Sequence, residues 1–212
     1  MDGGRAEVLA RLQESIDVGV PLLLVTGEEG SGKTMLCRML EQRVTDECIV
    51  VHFKHPVESF EDVVRVIASE LGVVTAGIVN GEGVKDAIEQ IIAFLLENSR
   101  HLLIIFDEAE IIYLATLERI RKMLDQMTEE GVYLHVLFSG RPSFLENYEQ
   151  LIICDFRQIE EVHLRLKPLS EGETADYLEG CINRLPDSAE REVFTQEVIW
   201  KICAVARGNF GK

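Results

Sequence analysis

Apolar side chains recur along this chain with two spacings, and the alternation between them lays out its elements. Val8, Leu9, Leu12 and Ile16 fall at helical intervals and predict a helix within residues 4–18, closed by Gly19. Pro21 opens a short continuous apolar run, Leu22 to Val25 with Thr26, that reads as a buried strand. Met35, Leu36, Met39 and Leu40 then give residues 35–43 a helical buried face. A β-rich run over 48–53 is the second strand, followed by helical spacing over 60–71 through Val63, Val64 and Ile67. A looser connection over 72–83 precedes a helix over 84–98, with Ile88, Ile91, Ile92 and Leu95 on one side.

His101-Leu102-Leu103-Ile104-Ile105-Phe106 is too continuously apolar for a half-exposed strand and reads as a central parallel strand covered on both faces. Residues 111–127 are helical in spacing, Gly131 breaks them, and 132–138 is another apolar strand. A short helix over 144–153 and a last strand over 162–166 follow. Beyond Lys167 only helical signals remain: Ser170 as N-cap with Glu173 as its capping-box partner, then Ala175, Leu178, Cys181 and Ile182, then Val198, Ile199, Ile202 and Val205.

Strands alternating with helices predict an α/β fold: a three-layer sandwich around a five-stranded, mostly parallel sheet, followed by a small helical lid. The expected boundary lies near Lys167, giving units of 1–167 and 168–212.

Gly27-Glu28-Glu29-Gly30-Ser31-Gly32-Lys33-Thr34 matches the phosphate-loop pattern G-x-x-x-x-G-K-[ST] at every fixed position, between a predicted strand and a predicted helix. Backbone N–H groups of such a loop, together with the helix N-terminus, cradle phosphate. Gly27 through Thr34 and the adjoining Met35 are therefore the candidate nucleotide contacts. Lys33 would reach the β- and γ-phosphates, and the Thr34 hydroxyl would ligate Mg²⁺. Chance occurrence would leave only a Gly-rich turn that ends in Lys-Thr.

The strand at 101–106 ends in Asp107-Glu108-Ala109-Glu110. Alone, two acids here are as well explained by the start of a helix, where they suit its dipole. Paired with the phosphate loop they have a specific use: Asp107 holding Mg²⁺ through its water shell and Glu108 polarising the attacking water. Ser139, at the end of the next strand, is placed either to sense a γ-phosphate or simply to begin a turn.

Charge and cysteine content narrow the partners. With 37 acidic against 21 basic side chains the net charge is -16, and the basic residues are scattered singly. Such a surface repels nucleic acid and anionic membrane, so no nucleic-acid partner is expected. Five cysteines, Cys37, Cys48, Cys154, Cys181 and Cys203, show no metal-ligand spacing and suggest reduced core thiols in a cytoplasmic protein. No apolar run approaches a membrane span.

The arrangement resembles the AAA+ ATPases, and more narrowly the ExeA/GspA type associated with type II secretion and related envelope machinery. The resemblance rests on residues 27–34, on Phe106 to Glu110, on Ser139-Gly140-Arg141-Pro142-Ser143-Phe144, and on Leu166-Lys167-Pro168-Leu169-Ser170. It implies a phosphate-loop strand in the middle of the sheet, ATP and Mg²⁺ as ligands, assembly into homo-oligomeric rings, and a protein partner within a larger complex, with any link to the inner membrane made by parts outside this chain. It further implies an arginine that reaches a neighbouring subunit's nucleotide, and Arg157 stands at that position, where it otherwise reads as a surface arginine.

Two departures stand out. Glu110 replaces a residue that is usually neutral. The lid's sensor arginine is missing from Arg207-Gly208-Asn209-Phe210-Gly211-Lys212, so the lid is expected to be partial, with the sensor absent, replaced by Lys212, or carried outside this stretch. Two other functions share the same anchors: a DNA-associated AAA+ regulator of the transposition or replication-initiator kind, and a nucleotide-gated interaction module with little turnover.

Overall fold

The structure is a computed structural model and describes residues 2–45, 47–55, 57–73, 83–153, 156, 158–184, 193–206 and 208. Arg157, Cys154, Arg207 and Lys212 lie outside the described residues.

Among the described residues six strands form one sheet: β1 (Asp2–Gly3), β2 (Leu22–Thr26), β3 (Cys48–Phe53), β4 (His101–Phe106), β5 (Leu134–Gly140) and β6 (Glu161–Leu166), in the spatial order β1-β6-β2-β5-β4-β3. Every pairing is parallel. Between and after the strands come α1 (Arg5–Asp17), α2 (Lys33–Glu41), α3 (Phe60–Glu70), α4 (Val84–Glu97), α5 (Leu114–Glu129), α6 (Ser143–Glu149), α7 (Glu171–Ile182) and α8 (Gln196–Ala206). The five expected strands are present, with the phosphate-loop strand β2 in the middle between β6 and β5. The two-residue edge strand β1, paired with Arg165 and Leu166, was not expected, because two residues carry no periodicity.

Side-chain alternation sorts the strands' residues into two cores. Leu23, Val25, Leu103, Ile105, Leu137 and Leu164 pack on one face with Val8, Leu9 and Leu12 of α1 and Leu36, Cys37 and Leu40 of α2. Leu22, Leu24, Leu102, Ile104, Val136 and Phe138 face the other side, where α3, α4 and α5 close over them. Helix, sheet and helix make three layers.

At the carboxyl ends of the strands, Phe53, Phe106 and Phe138 are register partners. Their rings stack at centroid separations of 4.8 and 5.2 Å, and the row continues to Phe144 and Tyr148 of α6 at 5.4 and 5.9 Å. This aromatic row ties three strands and a helix together through the last residues of β3 and β4 and a residue two positions before the end of β5, each pair adding about 0.5–1.5 kcal/mol beyond its area burial.

Several boundaries differ from the periodicity. The helix expected over 111–127 is a 3₁₀ turn, Ala109–Ile111, and then α5. Glu108 sits in the left-handed region at φ 54° and turns the chain, which leaves Ile111 and Tyr113 exposed. β5 runs to Gly140 and not to residue 138, because backbone pairing of Ser139 and Gly140 with Val25 and Thr26 continues past the last apolar side chain. The stretch 144–153 divides into α6 and a 3₁₀ turn, Gln150–Ile153. Met35 is exposed; Cys37 takes its expected place in the core. Cys181 is exposed, so the thiols are not all buried. The capping box of α7 forms as expected, Ser170 Oγ accepting from Glu173 N and Glu173 Oε2 accepting from Ser170 N. No helix of the described residues is long and apolar enough to cross a membrane.

His135, on β5, is buried at 1% exposure. Its Nδ1 carries the proton and donates to Val20 O at 2.8 Å, while Nε2 is buried with no hydrogen-bond partner. Burial holds its pKa below the ordinary value. Nε2 therefore takes up its proton at a higher pH in the unfolded chain than in the folded one, so stability is complete above about pH 6.5 and falls below it. Denaturant titrations between about pH 7.5 and 5.5 should show that slope, and His135→Asn should flatten it. An equal slope in both proteins would refute the assignment.

Candidate functional site

The loop between β2 and α2 is built around Lys33. Its Nζ donates to Gly27 O at 2.8 Å and Glu28 O at 3.1 Å, so the ammonium folds back across the loop it closes. Gly32 caps α2 at φ 91°, a conformation that a side chain would strain. Arg5, the first residue of α1, lays its guanidinium over Gly32 and donates from Nη2 to Ser31 O. Ser31 Oγ is fully buried and without a hydrogen-bond partner. Burial lowers the pKa of the Lys33 ammonium; the carboxylates of Glu110 and Asp107 oppose that fall, and the Arg141 charge adds to it.

Asp107 follows the last residue of β4 and is 5% exposed. Because Ile105 and Leu137 face α2, alternation turns Asp107 and Ser139 to the same face. The two meet: Ser139 Oγ donates to Asp107 Oδ1 at 3.1 Å, and the same oxygen accepts from Glu108 N at 3.1 Å. Beneath them the Cys37 thiol is buried beside Asp107, and its pKa is pushed up to about 12, which keeps it unreactive. Glu108 is exposed, its carboxylate displayed by the left-handed turn. Glu110 is spent on Arg141: Oε2 accepts from Arg141 N at 3.0 Å and Oε1 faces Arg141 Nε at 3.2 Å. The other end of that guanidinium reaches Glu29 Oε2 of the phosphate loop at 3.1 Å.

Beside the loop lies a cavity of 570 Å³ lined by Lys33, Thr34, Met35, Met39, Leu169 and Tyr177, with Gly30, Gly32, Arg5 and Arg38 completing it. The residues fit a nucleoside triphosphate with Mg²⁺. The loop offers a backbone cradle and an ammonium held by carbonyls, Ser31 Oγ lacks a partner, and Thr34 and Asp107 supply the hard oxygen donors that Mg²⁺ prefers alongside waters. Among the described residues there is no cluster of three or more His, Cys, Asp or Glu side chains able to hold a metal unaided.

Gly27 through Met35, Asp107, Glu108 and Ser139 thus come together at the carboxyl end of the sheet, because the loop and the start of α2 follow β2, Asp107 and Glu108 follow β4, and Ser139 lies near the end of β5. Two basic residues at the site escaped the sequence reading. Arg5 comes from outside any motif, 26 positions before the carbonyl it holds. Arg141 lay within a quoted segment, but only the structure pairs it with Glu29 and Glu110.

A parallel sheet with the phosphate loop at its central strand and an acidic residue at the end of β4 defines a P-loop NTPase fold. The chain belongs to the AAA domain family, whose model matches residues 18–148. The ExeA/GspA-type resemblance agrees with a relative, General secretion pathway protein A of Aeromonas hydrophila, 26% identical over 191 residues. That match covers 86% of this chain and 34% of the relative, so the chain spans about a third of that protein's length. Among solved structures it is similar in fold to Cdc6p from Pyrobaculum aerophilum, with a TM-score of 0.66 and 14% identity over 95% of this chain and 54% of that one. The Aeropyrum pernix ORC2 protein in its ADP form gives 0.66 and 20%, over 96% of this chain and 61% of that one. The Aeropyrum pernix ORC1 protein in complex with DNA gives 0.62 and 23%, over 96% of this chain and 55% of that one.

The Ser139–Asp107 bond lies in a buried setting, so Ser139→Ala removes one of the donors to a shielded carboxylate. We expect a loss of about 1–3 kcal/mol in unfolding free energy by denaturant titration. A change within about 0.5 kcal/mol would show that Asp107 does not depend on this hydroxyl.

Proposed function

We propose that this chain binds ATP with Mg²⁺, hydrolyses it, and uses the cycle to rearrange a larger assembly, in secretion or cell-envelope machinery on the cytoplasmic side. The observation that carries this reading is the convergence of Lys33, Thr34, Asp107 and Ser139 on one face at one end of the sheet. In this reading the units divide near Lys167, with α7 and α8 as the lid over the nucleotide.

Lys33 leaves its two carbonyl partners for the β- and γ-phosphate oxygens, and the loop N–H groups and α2's N-terminus hold the rest of the charge. Met35, Met39, Leu169 and Tyr177 offer the base an apolar wall. Asp107 and Thr34 would hold Mg²⁺, which when bound offsets charge on the β- and γ-oxygens. Ser139 keeps Asp107 oriented and stands beside the γ-phosphate position. Glu108 orients the attacking water and takes its proton; its display outside the buried Asp107–Ser139 pair suits that task.

The similarity to General secretion pathway protein A supports the secretion reading. The likeness to the ORC1 protein in complex with DNA is one of fold; with a net charge of -16, a duplex-binding role is the weaker alternative. Micromolar duplex binding that weakens steeply with salt would reverse that order. Assembly into a ring, with Arg157 lent to the neighbour's nucleotide, completes the proposal. Partial recovery of activity on mixing Glu108→Gln with Arg157→Ala would support it, and no recovery would remove Arg157.

Calorimetry tests the core of the reading: Lys33→Ala should abolish ATP binding. Glu108→Gln should keep ATP affinity while turnover falls by about 100-fold or more, as for a group acting in the transition state. Equal nucleotide affinity in Lys33→Ala and the parent would refute the site, and turnover within a few-fold of the parent in Glu108→Gln would place the base elsewhere.

A further inference from the structure

Arg5 begins α1 where three parts of the chain meet. Just before it, β1 pairs with Arg165 and Leu166, the last two residues of β6. From there the guanidinium lies over Gly32, and Nη2 donates to Ser31 O of the phosphate loop. No side chain fits at position 32 beneath it, since a Cβ there would lie 2.8 Å from Arg5 Nε. The same arginine lines the 570 Å³ cavity together with Leu169 and Tyr177, which follow β6.

The third part is the start of α7. Glu173 closes the capping box, with Oε2 accepting from Ser170 N at 2.8 Å and from Ser170 Oγ at 2.7 Å. Its other oxygen, Oε1, faces the chain just before Arg5: a Cβ on Gly4 would lie 4.0 Å from it. Burial lowers the pKa of the Arg5 guanidinium, and among the groups that oppose the fall the Glu173 carboxylate acts most strongly. Glu173 is held below the usual carboxylate range chiefly by Ser170, and Arg5 acts in the same direction. The cap ties Glu173 to its helix, so a pull on this carboxylate is a pull on α7. Leu169 N donates to Gly208 O at 3.2 Å, and α7 packs on α8, which joins this wall of the cavity to the rest of the helical unit.

The two ends of Arg5 differ in strength. Its bond to Ser31 O is charge-assisted and made by a half-buried side chain. Glu173 is exposed, and a solvated charge pair is weak and exchangeable.

We propose that Arg5 is a positioning residue that latches α7 and α8 to the phosphate loop: anchored on Ser31 O, its charge holds Glu173 and so sets Leu169 and Tyr177 against the base of a bound nucleotide. The latch needs no contact between Arg5 and the ligand. Because its outer half is a solvated charge pair, α7 can swing away at small cost to admit or release a nucleotide, while the loop half stays in place. The base, rather than the phosphates, feels where α7 stands.

The inference rests on the nucleotide-binding reading, and its test separates the two. Two probes are titrated with Mg²⁺ by calorimetry: the non-hydrolysable adenylyl imidodiphosphate, and inorganic tripolyphosphate, which offers phosphates without a base. Glu173→Gln keeps a residue that serves in a capping box and removes only the charge. It should weaken the nucleotide by about 2- to 5-fold, the range for a solvated charge pair, and leave tripolyphosphate unchanged. The loss should fade at about 1 M salt, where such pairs are screened. In an Arg5→Gln background, adding Glu173→Gln should cost nothing further. Unchanged nucleotide affinity in Glu173→Gln overturns the proposal, as does an equal loss for both probes. So does a loss that persists at high salt or in the Arg5→Gln background. A parent that binds tripolyphosphate and not the nucleotide removes the latch and leaves the loop assignment standing. If the parent binds neither probe, the nucleotide reading itself falls and takes this one with it.

Discussion

Side chains at matched positions on neighbouring parallel strands point to the same face, so the register of β2, β5 and β4 decides which groups can meet. Val25 stands beside Ser139 and Phe138 beside Phe106. Even-numbered Phe106 and Phe138 go to the core under α3, α4 and α5, and the next residues, Asp107 and Ser139, go to the α2 face. A slip of one residue would turn every such side chain to the wrong layer. The aromatic row from Phe53 to Tyr148 opposes that slip, because rings of this size fit their neighbours only in the observed pairing.

Much of this was legible in the order of residues. The apolar run at 101–106 has no polar position to expose, which requires a strand covered on both sides, and the phosphate loop is specific enough to fix the strand and helix on either side of it. What escaped the sequence has physical causes. β5 extends through Ser139 and Gly140 because backbone pairing does not depend on apolar side chains. The turn at Glu108 departs from helical spacing because a non-glycine residue there takes a left-handed conformation. Arg5 and Arg141 are surface-type residues by composition, and only tertiary proximity gives them acidic or carbonyl partners. The two-residue strand β1 is defined wholly by its neighbour β6.

The charges of the site are arranged in balance although the chain as a whole is strongly acidic. Lys33, Arg5 and Arg141 surround the loop, and each is met by oxygen: the carbonyls of Gly27 and Glu28, the carbonyl of Ser31, and the carboxylates of Glu29 and Glu110. Carbonyl partners bring dipoles rather than full charge, so Lys33 and Arg5 are fixed in direction by groups that do not neutralise them.

The central place of β2 also has a consequence for how the chain is made. β2 ends at Thr26, yet its two sheet neighbours, β5 and β6, lie more than a hundred residues further on; Val25 pairs with Ser139 and Leu164. On a ribosome, the phosphate loop would emerge long before either strand that holds it. Until β5 is synthesised, an apolar segment stands without partners, and the closure of that long loop is entropically slow. The nascent chain therefore passes through an interval in which its most sequence-specific segment is also its least protected, until β5 and β6 slot in on both sides of β2.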